Sequence, residues 1–249
     1  MLAKARLLLF AAIGGALTGC ISFAFLRSLD WVTRTRIAHG WIVWLLPLAG
    51  LGVGAAYHYL GGRAKGGTPA VIEQAHTFTH GVPARMAPFI FGGSVIGHLF
   101  GASVGREGAA LQMAGSVTDS AARIGRLPAA DRRILVAASL AAGWGAVFAV
   151  PITGIVFTLQ VTKHHRWRAL VPAIVAAFTG KFVVDELGYR MAARPHLAPT
   201  HWRFALPFKL VLAGIGFGIL ARLFVWSLRT VKVHMARWFH HPPLRTIVG

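Results

Sequence analysis

The fold is decided by eight residues, Gly101-Ala102-Ser103-Val104-Gly105-Arg106-Glu107-Gly108, which place glycine and charge between two apolar stretches. The apolar stretches cover residues 88–100 and 109–117. Both are too short to cross a bilayer, which takes about 20 apolar residues in a helix. Short helices interrupted by glycine can place backbone amides at mid-membrane depth, where transporters bind their substrates. This stretch therefore predicts discontinuous half-helices that face a binding site.

Composition and charge place the rest of the chain in a membrane. Of its 249 residues, 55% are apolar and only 13% are charged, whereas a soluble protein carries about a quarter charged residues. The formal charge of +19 would alone suggest a nucleic-acid-binding protein. The basic residues, however, cluster between long apolar runs, as in the cytoplasmic loops of membrane proteins. We predict an integral protein of the lipid bilayer, in the inner membrane of a bacterium, with no nucleic-acid partner.

The apolar pattern predicts an all-α, multi-helix bundle with re-entrant, discontinuous half-helices. Longer apolar segments predict spans at residues 7–29, 41–60, 170–184 and 204–228, and shorter ones lie at 135–148 and 151–161. Pro151 suits the first position of a helix. Residues 61–70 form a glycine-rich break, and a short polar piece follows at 71–80. The glycines of the first span, Gly14, Gly15 and Gly19, would let neighbouring helices approach closely.

Charge also predicts the orientation in the membrane. Basic clusters lie at the start of the chain, in loops at 123–133 and 163–168, and in the tail at 229–237. The positive-inside rule places all of them in the cytoplasm. The loop at 185–201, which contains Asp185 and Glu186, then faces outward.

Cys20 raises an alternative for the N-terminus. Leu17-Thr18-Gly19-Cys20 after an apolar run resembles a lipoprotein signal with its lipidated cysteine. A lipoprotein would turn polar after this cysteine, whereas here the apolar run continues to Leu26. An apolar length near 20 residues favours a first membrane span.

Glu107 is the acidic residue most suited to a function. The chain has seven acids, and we place Asp30, Asp119, Asp131, Asp185 and Glu186 in or beside loops, and Glu73 in the short 71–80 piece. Glu107 instead lies between apolar stretches at the expected start of a half-helix, and ionisable residues at membrane depth are functional candidates. The free amides and dipole of a helix start attract an anion, and glycine permits its close approach. The Glu107 carboxylate could occupy the same place and leave it when protonated. The alternatives are a structural Arg106–Glu107 pair and a carboxylate that stabilises the helix start.

Two stretches resemble the ClC family of chloride channels and proton-coupled anion antiporters. Gly105-Arg106-Glu107-Gly108-Ala109-Ala110-Leu111-Gln112 is similar to the family's G-R-E-G-P-x-V-Q signature. Residues 142–157, AGWGAVFAVPITGIVF, resemble its A-G-x-x-A-x-F-x-A-P-x-x-G-x-x-F stretch. The resemblance covers about residues 40–235 and implies the first inverted repeat of a ClC-type fold. It also implies transport of a small inorganic anion, by a channel or with protons, in a homodimer with one pathway per subunit.

The resemblance assigns site residues. Glu107 matches the family's external gating glutamate, and the backbone of Gly105, Arg106, Glu107 and Gly108 would line the outer anion site. Residues 66–70, GGTPA, stand where the family has G-S-G-I-P, so Thr68 or Gly67 would lie near the serine that contacts the central anion.

Departures from the family pattern bear on the transported ion. The internal proton glutamate falls near Gln160-Val161 here, so that acid is missing. Ala109 replaces the usual proline, and Met113 follows Gln112. This pattern is more similar to the fluoride–proton antiporter branch, so chloride and fluoride both remain open.

The resemblance divides the chain into two parts, and its short length raises a second hypothesis about function. Residues 1–203 match the first repeat, and residues 204–249 match the first helix of the second repeat plus a basic tail. The other anion-lining half-helix and a central tyrosine are not found in this sequence. The alternative to transport is a truncated remnant, or a subunit that requires the missing second half.

No P-loop, nucleophile motif or cysteine cluster occurs in the sequence, so we predict neither an enzyme nor a cofactor. A weaker hypothesis is a membrane-embedded metal enzyme. His76 and His80 lie four residues apart on the expected short helix, which is a possible metal-ligand spacing. No third ligand is evident, so we predict no metal site.

Overall fold

The computed structural model describes residues 2–162, 166–190, 206–239 and 241–248, and within these ranges the chain forms helices and no strand. The α-helices are α1 (Leu2–Ala38), α2 (Leu46–Leu60), α3 (Gly67–His76), α4 (Met86–Phe100), α5 (Arg106–Ile124), α6 (Ala129–Phe148), α7 (Pro151–Val161), α8 (Arg166–Glu186), α9 (Leu206–Trp238) and α10 (Pro242–Val248). Two 3-10 helices, Gly40–Leu45 and Gly62–Gly66, precede α2 and α3. The predicted all-α fold is confirmed.

Four helical segments in the described ranges are long and apolar enough to cross a membrane: Leu2–Ala38, Gly40–Leu60, Trp167–Glu186 and Leu206–Trp238. They match the four predicted spans. With 37 residues, α1 is about 55 Å long and must tilt in, or extend beyond, a hydrocarbon core of about 30 Å. The helix continues unbroken past Cys20, which agrees with a membrane span.

Helices α3, α4 and α7 are each too short to cross a bilayer. The lengths of α3, α4 and α7 are 10, 15 and 11 residues. Helix α7 begins at Pro151, as predicted, and runs back along α6, where Thr158 Oγ1 donates to the Ala137 carbonyl over 3.4 Å. The left-handed backbone of Ala149, with φ 55°, ends α6 and allows this reversal. The predicted discontinuous helices are therefore confirmed.

Small residues pack the central bundle of α1, α5, α6 and α8. A Cβ added to Gly15 of α1 would lie 2.5 Å from the Ala176 carbonyl oxygen of α8. In the same way, a Cβ on Gly143 of α6 would lie 2.9 Å from the Ala110 carbonyl oxygen of α5. Such close backbone approach is typical of helices packed inside a bilayer. The predicted close packing of the α1 glycines is confirmed.

Helix α9 stands apart from this bundle, because none of its described residues is buried. The last helix, α10, instead packs on α2, where Thr246 Oγ1 donates to the Gly50 carbonyl over 2.7 Å.

Several sequence-based placements were wrong. Asp30 lies within α1 and Asp119 within α5, not in loops, and Arg132 belongs to α6. The short helix begins at Gly67 instead of residue 71 and ends at His76, so His80 lies outside it. Residues 163–165 of the basic loop, residues 191–201 of the outward loop and residue 204 lie outside the described residues.

Candidate functional site

The chain breaks between α4 and α5, where the sequence predicts it. Helix α4 ends at the left-handed Gly101, with φ 89°, and residues 102–105 leave helical geometry. Gly105 then caps α5 with an extended backbone, φ −74° and ψ 149°. Within the described part of the chain, no side chain hydrogen-bonds to the start of α5. The first amides of α5 are therefore left for another acceptor.

This helix start lies deep along the spanning bundle. Arg6 Nη2 at the start of α1 donates to the Gly125 carbonyl, just beyond the end of α5, over 2.5 Å. At the opposite end of α5, Ala110 packs in one buried cluster with Leu26 of α1. Beyond Leu26, α1 continues to Ala38, which adds about 18 Å of helix. Helix α1 thus extends past the first turn of α5 in both directions, so this turn does not lie at an end of the bundle.

Glu107 is the second residue of α5, and its side chain is exposed. Its carboxylate turns back over the helix start, because a Cβ added to Gly105 would lie 2.7 Å from Glu107 Oε2. The ion pairs among the described residues are Arg132–Asp119 and Lys181–Asp185, so Glu107 and Arg106 do not form one. The carboxylate therefore lies beside Gly105 at the helix start, without a cationic side chain holding it.

A second helix start meets the first. Gly67 begins α3 with φ 59° and ψ −152°, a conformation that strongly favours glycine. Thr68 Oγ1 donates to the Gly108 carbonyl over 3.4 Å and accepts from Gln112 Nε2 over 3.2 Å. A Cβ on Gly108 would lie 3.1 Å from the same hydroxyl, so glycine permits this approach. The structure thus brings Thr68 of α3 into contact with Gly108 of α5.

Gln112 is a polar residue of this site that the sequence analysis quoted but did not select. It lies one helical turn after Gly108 and is only 8% exposed. Its contact with Thr68 joins residues 44 positions apart, which local sequence does not predict. The only sequence signal for Gln112 was therefore its place in the G-R-E-G signature.

A polar cluster lies near Arg106. The Tyr189 phenol, beyond the end of α8, lies within electrostatic reach of the Asp30 carboxylate of α1. Burial raises the pKa of Tyr189 above its usual 10, and Asp30 raises it further, while Arg106 and Arg27 lower it. Asp30, Arg106 and Arg27 therefore all act electrostatically on the phenol.

The proposed histidine pair does not form a metal centre in the described residues. His80 follows the end of α3, in a turn where Gln74 Oε1 accepts the backbone N–H groups of Thr79, His80 and Gly81. No group of three or more metal-ligating side chains occurs among the residues that the structure describes.

Comparison with known proteins assigns the family. The model of the voltage gated chloride channel family matches residues 49–249. A chloride/fluoride channel protein of Pseudomonas syringae pv. tomato is 38% identical over 255 residues, which cover 98% of this chain and 55% of that protein. An H(+)/Cl(-) exchange transporter ClcA of Cronobacter sakazakii is 31% identical over 188 residues, which cover 70% of this chain and 40% of the relative. The chain thus spans about half the length of the curated relatives it matches.

Solved structures agree. The crystal structure of a CLC-type fluoride/proton antiporter superposes with a TM-score of 0.90 at 28% identity, covering 97% of this chain and 62% of the other. A slow cyanobacterial Cl-/H+ antiporter has the same fold, with a TM-score of 0.82 at 18% identity, covering 98% and 61%. Since the family model covers most of the sequence and the described fold agrees with it, the chain is an integral membrane protein of the voltage gated chloride channel family.

Proposed function

We propose that this chain moves a small inorganic anion, fluoride or chloride, across the membrane, and that Glu107 gates the movement and carries a proton. The observation that supports the proposal is the uncapped start of α5, with the Glu107 carboxylate turned back over it. Its relatives include a protein named as a chloride/fluoride channel and another named as an H(+)/Cl(-) exchanger.

Electrostatics explains why an anion would rest there. A helix start carries about half a positive charge from its aligned peptide dipoles, together with unpaired N–H groups. In a bilayer, water does not compete for these groups, so a small anion replaces its hydration shell with backbone amides. A partial charge binds an anion without trapping it, and so allows its release.

Glu107 then competes with the anion for one place. Its ionised carboxylate accepts from the amides of Gly105, Arg106, Glu107 or Gly108 and closes the site. Protonation removes the charge, weakens these hydrogen bonds and frees the site for an anion. Alternation between the two occupants couples the anion to a proton. Gly67 and Thr68 at the start of α3 supply the inner side of the same site.

The test is efflux of fluoride and of chloride from liposomes that contain the purified chain, with proton movement recorded in parallel. Glu107→Gln keeps the shape of the side chain but cannot ionise. We expect anion efflux to persist while coupled proton movement falls to background. Glu186→Gln is the matched control, because Glu186 is also exposed but lies at the end of α8. Unchanged flux and coupling in Glu107→Gln would refute the gating role.

The same assay addresses the second hypothesis. Because the chain spans about half the length of its relatives, the whole transporter's activity is a proposal here. A parent chain that moves neither anion would favour a non-transporting polypeptide that needs a further partner segment. The division at residues 203 and 204, supported by the exposed α9, and a family-like homodimer with one pathway per subunit are proposed on the same basis.

A further inference from the structure

The hydroxyl of Thr68 has two partners of unequal strength. Gln112 Nε2 donates to it over 3.2 Å, an ordinary distance for an amide donor. The hydroxyl itself donates to the Gly108 carbonyl over 3.4 Å, whereas O–H···O hydrogen bonds usually measure about 2.7–2.8 Å. The hydrogen bond that Thr68 donates is therefore weaker than the one it accepts, which is within the usual range.

We propose that Gln112 is a positioning residue that keeps the Thr68 hydroxyl ready to donate to the transported anion. A threonine oxygen that accepts from Gln112 must direct its own proton elsewhere, to the Gly108 carbonyl as in this structure or to a bound anion. Donation from the amide also polarises the hydroxyl and strengthens the hydrogen bond that it gives. This inference rests on the proposed anion site and adds a residue to it.

Position and chemistry both suit glutamine to this role. Gln112 and Gly108 are four residues apart and so lie on one face of α5. A lysine or arginine at position 112 would bring a full positive charge to the site and hold the anion. A carboxylate at this position would accept a hydrogen bond from the Thr68 hydroxyl and would repel the anion. The neutral amide of Gln112, 8% exposed, does neither.

A double-mutant cycle tests this relay, in which Gln112 orients the Thr68 hydroxyl and Thr68 donates to the anion. The measured quantity is the dissociation constant of fluoride, and in parallel of chloride, by isothermal titration of the purified 249-residue chain in detergent. Gln112→Met removes the donor and keeps the side-chain length, and Thr68→Val removes the hydroxyl. We expect each to weaken binding about 3- to 10-fold, the range of one neutral hydrogen bond. In the Thr68→Val background, Gln112→Met should have no further effect, because no hydroxyl remains to orient.

A conservative variant separates this role from packing. Thr68→Ser keeps the hydroxyl, so binding should persist and stay sensitive to Gln112→Met. Gln112→Glu should bind the anion more weakly than the parent at neutral pH. In acid its affinity should approach that of the parent at the same pH, because the protonated carboxyl can donate to Thr68 again. Thermal unfolding of every variant checks its folding.

The failures are distinguishable. If the parent binds neither fluoride nor chloride, the proposed function and the relay are both overturned. If the parent binds and Gln112→Met leaves affinity unchanged, or weakens it equally with and without the Thr68 hydroxyl, the relay alone is wrong.

Discussion

Glu107 lies in the first turn of α5 with its carboxylate exposed, whereas Asp119, twelve residues later on the same helix, is completely buried. Asp119 Oδ1 and Oδ2 accept from Arg132 Nε and Nη2, both over 2.9 Å, and Oδ2 also accepts the Val82 N–H over 2.8 Å. Glu107 has no ion-pair partner among the described residues.

The difference indicates what each carboxylate can do. Asp119 joins α5, α6 and the connection between α3 and α4, and moving it would break three charge-assisted hydrogen bonds of a buried carboxylate. The Arg132 guanidinium also lies 5.0 Å from the centre of the Phe78 ring, which further fixes it. Glu107 breaks no such contacts when it moves. With the proposed gating role, a single helix has a fixed anchor at one end and a movable acid at the other.

The largest expected effect on stability follows from removing Arg132, the ion-pair partner of Asp119. Arg132→Met leaves the Asp119 charge buried without a cation, which costs about 3–5 kcal/mol of unfolding free energy. Unfolding of the purified protein in detergent, by heat or denaturant, measures the loss. The matched control is Lys181→Met, which breaks the half-exposed Lys181–Asp185 pair on α8 and should cost less than about 1 kcal/mol. Equal losses in the two variants would show that Asp119 is no anchor.

Two glycine substitutions give a smaller but sharper contrast. Gly81 has φ 71°, and a Cβ there would collide with the Asp119 carboxylate and lie 2.7 Å from Arg132 Nη2. Both groups are fixed, so Gly81→Ala should cost about 1–3 kcal/mol of unfolding free energy.

Gly105→Ala is the counterpart at the movable end. Its Cβ would meet Glu107 Oε2, but Gly105 has an ordinary φ of −74° and the exposed carboxylate can swing aside. The expected change in unfolding free energy is therefore within about 0.5 kcal/mol. The same unfolding assay measures both variants, and a Gly105→Ala loss as large as that of Gly81→Ala would mean that Glu107 is held in place.

The local sequence predicts the Glu107 end of α5 better than it predicts the buried Asp119 anchor. The break before α5 is visible because glycine and charge interrupt apolar residues next to each other in the chain, and Pro151 marks the start of α7 for a similarly local reason. Asp119 looks like a loop residue, since Ser116, Thr118 and Ser120 surround it. Its actual partners lie 37 positions earlier and 13 positions later, and only the tertiary fold brings them together.

The same limit applies to the site itself. Thr68 could be selected by resemblance, but its contacts with Gly108 and Gln112 depend on how two half-helices meet. His80 was misplaced because Gln74 accepts the following backbone amides and turns the chain away from α3. A spacing of four residues does not reveal that turn.

Asp30 offers an intermediate case and the smallest expected effect. It is half-buried, and its charge acts on the Tyr189 phenol. Burial and the Asp30 charge both raise the pKa of Tyr189, so the folded protein retains the phenol proton more tightly than the unfolded chain. This contribution to stability is complete below the unfolded pKa of about 10 and is lost as pH rises through the higher folded pKa.

Asp30→Asn should lower the pKa of Tyr189 towards its usual value without reaching it, because burial persists while the charge is removed. The tyrosinate absorbance of each protein, minus that of its Tyr189→Phe derivative, isolates this titration from the other two tyrosines. Asp131→Asn, at the start of α6, is the control and should leave the curve in place. A Tyr189 titration that is identical with and without the Asp30 carboxylate would mean that Asp30 is free to move, as is proposed for Glu107, and that Asp119 is the one fixed carboxylate of the three.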